Sequence, residues 1–222
     1  MSSIPLSVNG ISIGGAPITF DLRQGEILAV LGDNGAGKSL LLAHLTGHLR
    51  TPKDAVRLSK RELGVVFQHH GLIRNLTVFE NVALPFLVHA LDLDGGLEQQ
   101  VRLRLGLVGC ADLAQEKVHG LSEGDKRCVA LARALSGGTR LLIADEPAAS
   151  LSPAKKTIVE QLLVCLVQTG VLDGIVLATQ DLDFAQRIAT HVLLLHDSGH
   201  MLAKSEDAAQ DEFFKSFTGR VA

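Results

Sequence analysis

The sequence predicts an α/β fold with a mostly parallel sheet covered on both faces. Three observations carry this expectation. Short apolar runs of strand length recur at residues 26–31, 64–67, 141–144, 174–179 and 192–195. Helical stretches separate them, the pattern of parallel strands joined by crossovers. The first run enters a glycine-rich turn, Gly32-Asp33-Asn34-Gly35-Ala36-Gly37-Lys38-Ser39, which opens a helical run from Lys38 to His48. Strand, glycine loop and helix in that order form the context of a phosphate-binding P-loop.

The elements follow in chain order. Residues 4–31 alternate β-like runs with turns at Val8-Asn9-Gly10 and Gly14-Gly15. Residues 40–49 continue the helix after the loop. Residues 75–136 read as mainly helical, broken at Gly95-Gly96 and turning again near Gly120. Residues 158–168 form an amphipathic helix. At 222 residues the chain is long enough for one well-buried domain, 1–222, with no internal repeat. Within it, 1–74 and 137–222 read as a core and 75–136 as a helical subdomain.

A net charge of −3 and a pI near 6.3 give no electrostatic reason to expect nucleic acid. The mean hydropathy of +0.26 is high, yet no apolar run reaches the roughly 18–20 residues of a membrane span. The excess apolarity predicts large buried faces, one of them for a partner. Met1-Ser2-Ser3-Ile4-Pro5 lacks the basic start and apolar core of a signal peptide. Cys110, Cys128 and Cys165 have no metal-ligand spacing and read as free thiols in a reducing compartment.

The chemistry of the loop follows from its residues. Glycines let the backbone wrap tightly, so that N–H groups and the helix N-terminus point at phosphate oxygens. Lys38 would bridge the β- and γ-phosphates, and Ser39 would place its hydroxyl on Mg²⁺. A second anchor is Leu141-Leu142-Ile143-Ala144-Asp145-Glu146-Pro147, with acids at the C-terminal end of a buried strand, where open α/β sheets bind ligands. Asp145 would hold Mg²⁺ through water. Glu146 is placed to orient or deprotonate a water attacking the γ-phosphate.

With these residues the chain resembles the nucleotide-binding subunits of ABC transporters over nearly its whole length. Residues 32–39 resemble the Walker A motif and 141–146 Walker B. Gln68, after Val65-Val66-Phe67, resembles the Q-loop glutamine. Leu121-Ser122-Glu123-Gly124-Asp125, running into Val129-Ala130-Leu131-Ala132-Arg133-Ala134-Leu135, resembles the signature motif and its helix. Residues 148–152 hold the D-loop place, and Ala178-Thr179-Gln180-Asp181 the H-switch place. The resemblance implies a P-loop NTPase with a RecA-like core, a helical subdomain and a head-to-tail dimer. In such a dimer each ATP lies between one subunit's Walker A and the other's signature. It also implies ATP and Mg²⁺ as cofactors. Gly32, Asp33, Asn34, Gly35, Ala36, Gly37, Lys38, Ser39 and Leu40 then contact nucleotide, and Ser122 and Gly124 contact the partner's nucleotide. Ser39, Gln68 and Asp145 serve the metal; Glu146, Gln68 and Gln180 serve catalysis. Ser122 is also a natural N-cap for its own helix.

The departures from the pattern are informative. The family usually has glycine at Glu123, glutamine at Asp125 and arginine at Cys128, beside Lys126 and Arg127. Two acids near a docking triphosphate oppose ATP-driven closure unless a partner cation or Lys126 offsets them. Leu40 replaces a threonine, Ser152 the D-loop aspartate and Gln180 the switch histidine. A glutamine amide can donate to the γ-phosphate but cannot carry charge or relay a proton. The chain has no Tyr and no Trp, and no aromatic near residues 9–15 to stack on adenine. Thirty residues separate Lys38 from Gln68, which implies a reduced N-terminal β-subdomain over 50–61.

The reading that results is an ATPase subunit of an ABC transporter with slow hydrolysis. It would work beside an integral membrane permease, as a homodimer or heterodimer, on the cytoplasmic face of the membrane, without nucleic acid. The alternative is a hydrolysis-impaired regulatory subunit of a heterodimeric or soluble ABC ATPase. Arg74-Asn75-Leu76-Thr77-Val78-Phe79-Glu80-Asn81-Val82-Ala83-Leu84-Pro85 resembles the segment after the Q-loop in lipoprotein-release and phospholipid-trafficking transporters. Phe213-Phe214-Lys215-Ser216-Phe217-Thr218-Gly219 resembles the tail of mammalian-cell-entry-type phospholipid ATPases. A P-loop kinase would leave the signature-like helix unexplained, and a pure interaction module would leave Lys38, Asp145 and Glu146 unexplained.

Overall fold

The computed structural model describes residues 4–15, 17–58, 62–90, 96–196 and 199–208. Strands β1 (Leu6–Ser12), β2 (Pro17–Leu22) and β3 (Glu26–Gly32) precede helix α1 (Lys38–Thr46). Then come β4 (Val56–Leu58), β5 (Leu63–Val66) and the helices α2 (Val78–Val88), α3 (Gly96–Leu107) and α4 (Glu123–Ala134). The remainder alternates: β6 (Leu141–Asp145), α5 (Pro153–Gln168), β7 (Gly174–Ala178), α6 (Leu182–Ile188), β8 (His191–His196), β9 (Gly199–Lys204) and α7 (Ser205–Ala208).

The main sheet has the order β5-β6-β7-β3-β8-β9, parallel except for β9, which runs antiparallel to β8 at the edge. Its strands are apolar on both sides because both sides are covered. Ile27, Ala29 and Leu31 of β3 face one core with α2–α6, and Leu28 and Val30 face a second core with α1. Strands β6 and β7 divide the same way, Leu142/Ala144 and Ile175/Leu177 against Leu141/Ile143 and Val176/Ala178. A small antiparallel sheet, β2-β1-β4, closes the second core. Parallel pairing sets the C-terminal ends of β3, β5, β6 and β7 side by side, and the loops that leave them meet in one crevice.

Local chemistry explains the boundaries. Helix α1 stops at Thr46, short of the expected residue 49, because Gly47 turns left-handed (φ 77°) and its N–H bonds back to Ala43 and His44. Helix α5 starts five residues before the expected 158: Ser152 caps it and Pro153 sits in its first turn, where a missing N–H costs nothing. In the segment 74–85, Thr77 and Glu80 form a reciprocal capping box on α2. Asn81 is fully buried, and its amide ties α2 to both backbone groups of Ile73. The expected strand at 192–195 extends by one residue at each end. Helix α6 and strand β9 were not expected: α6 is short and β9 is a half-exposed edge strand without clean alternation. The tail 213–219 lies outside the described residues. Among the described residues no helix is long and apolar enough to cross a membrane.

Candidate functional site

The loop after β3 is built for close approach. Gly32 (φ 152°) lies under Leu195, whose carbonyl oxygen would be 2.5 Å from an added Cβ. At Gly37 (φ 96°) a Cβ would meet Ile13 Cγ2 at 2.2 Å. Both positions therefore require glycine. No side chain caps α1, so its first N–H groups face the crevice free of a capping oxygen. Lys38 curls back over the loop, and its Nζ donates to the carbonyls of Gly32 (2.6 Å) and Asp33 (3.0 Å). Burial lowers the Lys38 pKa, while Glu146, Asp145 and Asp33 oppose that shift.

Asp145 ends β6 and is buried, and the chain then turns sharply at Glu146, whose φ is +52°. A left-handed glutamate is strained, and hydrogen bonds of its backbone and its carboxylate hold it there. Its N–H donates to Ala178 O (2.9 Å), while its carboxylate accepts from Thr179 Oγ1 (3.0 Å) and from the Gln180 N–H (3.0 Å). Burial pushes the Glu146 pKa up, against the Thr179 hydrogen bond and Lys38. Gln180 also donates its side-chain amide to Asn34 Oδ1 at 2.7 Å, which links the end of β7 to the glycine loop.

One cleft of about 360 Å³ gathers Asn34, Gly35, Gly37, Lys38, Ser39, Leu40, Gln68, Asp145, Glu146 and Gln180. These residues come from the ends of four strands. Its oxygen donors, the Ser39 hydroxyl, the Gln68 amide and the Asp145 carboxylate, fit a hard divalent cation such as Mg²⁺. Gly32, Asp33 and Ala36 do not line the cleft; they shape the loop beneath it. Ser122 and Gly124 lie away from it, at the start of α4. Ser122 accepts the Asp125 N–H and donates to the Asp125 carboxylate, so its capping role is realised. An added Cβ at Gly124 would sit 2.9 Å from Ser150 O, which packs α4 against the D-loop stretch.

Sequence reasoning missed four contributors. Thr179 stands one residue before the switch position, fully buried on Glu146. Lys155 of α5 pairs with Asp125, which settles at a low pKa despite its burial. His70 contacts Glu123 at 3.0 Å. Arg127 is buried beside Gln68 and Asp145. A basic residue on α5 and a histidine after the Q-loop carried no pattern of their own. Only the fold puts them on α4. Glu123 also pairs with Lys126 (2.7 Å), and the hydrogen bonds of Lys126, first, and of His70 bring its pKa down to about 2.

The comparisons with known proteins decide the family. Residues 16–149 match the family model described as ABC transporter. The chain belongs to the ABC transporter family. It is 36% identical over 189 residues to the lipoprotein-releasing system ATP-binding protein LolD of Koribacter versatilis, covering 77% of this chain and 82% of that one. It is 35% identical over 223 residues to the sulfate/thiosulfate import ATP-binding protein CysA of Xanthomonas campestris, covering 92% of this chain but 64% of that one. In fold it superposes with TM-score 0.81 on a dimeric ATP-binding cassette bound to ADP and Pi, at 23% identity, over 90% of this chain and 98% of the other. This is an ATP-binding subunit with the ATPase fold of its family, and ATPases of this family dimerise and work with membrane permeases.

Proposed function

We propose that this subunit couples ATP binding and slow hydrolysis to the work of a separate membrane permease of the lipoprotein- or lipid-trafficking type, from the cytoplasmic face. The observation that carries the site reading is the single cleft holding Lys38, Ser39, Gln68, Asp145, Glu146 and Gln180. Lys38 neutralises the β- and γ-phosphates, with Asn34, Gly35, Gly37 and Leu40 around the nucleotide and Gly32, Asp33 and Ala36 shaping the loop that holds it. Ser39, Gln68 and Asp145 would hold Mg²⁺, which supplies charge neutralisation to the phosphates. Glu146 orients the attacking water, and its raised pKa suits a base held among fixed dipoles. Gln180 donates to the γ-phosphate from its tether on Asn34. In the dimer, Ser122 and Gly124 at the α4 N-terminus meet the partner subunit's nucleotide. Residues 1–74 with 137–222 act as the ATP-binding core, and 75–136 as the helical subdomain that faces the permease.

A second reading, a hydrolysis-impaired member of a heterodimer, is favoured by the substituted signature and by glutamine at the switch. Co-purification from gently extracted membranes tests both. A stoichiometric integral membrane protein supports the transporter reading, and a second, distinct ATPase beside it supports the heterodimer. A chain recovered with no membrane partner would overturn the transporter reading. Similarity to a lipoprotein-releasing ATPase supports the cargo class, and release of lipoprotein or phospholipid by the reconstituted complex tests it.

A further inference from the structure

Arg127 lies one helical turn after Glu123 on α4, with only 7% of its surface exposed. A buried guanidinium must find acceptors. Its Nη1 donates to two backbone carbonyls, Gln68 O at 3.2 Å and Asp145 O at 3.3 Å. Its Nε has no hydrogen-bond partner among the described residues. One nitrogen thus spans the two loops that carry Gln68 and Glu146. Two other α4 side chains hold the Q-loop: Arg133 donates to the carbonyls of His70 (2.9 Å) and Gly71 (2.7 Å), and Glu123 contacts His70. Of these three, Arg127 is the one that also bonds the end of β6. It does not line the nucleotide cleft; it lines a neighbouring cleft of about 580 Å³ with Gln68, His70 and Glu123.

We infer that Arg127 is a positioning residue for hydrolysis, fixing Gln68 against the Asp145–Glu146 turn and carrying movements of α4 to both. This rests on the roles proposed above for Gln68 and Glu146. The geometry gives it a specific signature. Most of the proposed nucleotide contacts come from the loop after β3, which Arg127 does not touch, and Gln68 and Asp145 add to them only through the metal, so KM for ATP is largely spared. Turnover depends on the placement of Gln68 and Glu146, so kcat is lost.

The test uses Arg127→Met and Arg127→Lys in the full chain, with rates expressed per ATP-binding molecule. Arg127→Met should lower kcat about tenfold, the scale of small misplacements at a reacting centre, with KM unchanged within about twofold. Arg127→Lys should restore part of that loss, because an ammonium can also donate to two carbonyls. The chain has no tryptophan or tyrosine, so Phe67→Trp gives a lone reporter beside Gln68. Its ATP-dependent emission change should persist with Arg127 present and vanish with Arg127→Met. If Arg127→Met does not fold, Arg127→Gln takes its place, with the same kcat loss expected. Wild-type kcat in the neutral variant, or a loss that appears wholly in KM, overturns the inference. Glu146→Gln run in parallel separates the two failures: an unchanged rate there would mean that the reading of the site, and not of Arg127, had failed.

Discussion

Thr179→Val tests how Glu146 is held. The Thr179 hydroxyl donates to Glu146 Oε2 at 3.0 Å and accepts from the Asp181 N–H at 3.0 Å, with the residue 1% exposed. Valine keeps the shape and removes both bonds. A hydrogen bond to a charged group, or a buried donor left unpaired, is worth about 1–3 kcal/mol. Glu146 retains the Gln180 N–H and partial access to water, which places the expected loss at about 1–2 kcal/mol. For a chain of this size each kcal/mol moves Tm by about 2–4 °C, so the drop should be roughly 2–8 °C by scanning calorimetry. Turnover should fall with it, because a glutamate at positive φ with one support removed is free to leave its orientation. Thr179→Ser should retain both the Tm and the rate. An unchanged Tm and an unchanged rate in Thr179→Val would refute the claim that this hydroxyl holds the carboxylate.

Four further outcomes are expected. Glu146→Gln should cut steady-state ATP hydrolysis by about a hundredfold or more, the scale of a lost general base, and a smaller effect would remove Glu146 from that role. The same variant should melt higher than wild type at neutral pH. The folded pKa of Glu146 is raised by burial, so its favourable contribution is complete below the ordinary value of 4.5 and is lost as pH rises through the folded pKa. The Tm difference should therefore close in acid, and a constant difference across pH would contradict the sign. Gln180→His should raise kcat several-fold, since histidine can carry charge where the amide cannot; an unchanged rate would mean that the switch position does not limit turnover. In thiol titration, exposed Cys165 should react at once and buried Cys110 and Cys128 only on denaturation; three fast thiols would contradict the packing of α4.

The parts of the molecule written in local pattern are legible in the amino-acid sequence. Strands β3, β6 and β7 are continuous apolar runs, and the Lys38 and Asp145 motifs sit at strand ends by sequence adjacency alone. Contact across the chain is not legible in the same way. Lys155 and Asp125 are thirty residues apart, and His70 and Glu123 fifty-three. Neither pairing leaves a periodic trace, because each is created by the packing of α4 between the Q-loop and α5. Edge strand β9 escapes sequence reasoning for a related reason: one neighbour and half-exposure remove the alternation that marks a strand.

These contacts change the meaning of the substituted signature. Read as isolated charges, Glu123 and Asp125 would repel a triphosphate. In the fold Glu123 lies between Lys126 and His70, and Asp125 lies against Lys155. The acids are thus matched by cations of the same chain, and the repulsion is largely offset before any partner arrives. The remaining cost is one of hydrogen bonding. The Ser122 hydroxyl already donates to the Asp125 carboxylate, so a phosphate docking at the start of α4 must displace a charge-assisted bond to reach it. On the function proposed above, slow closure would follow from an occupied donor more than from a repelling field. Added salt, which screens exposed charge and leaves a short hydrogen bond in place, should do little to speed it.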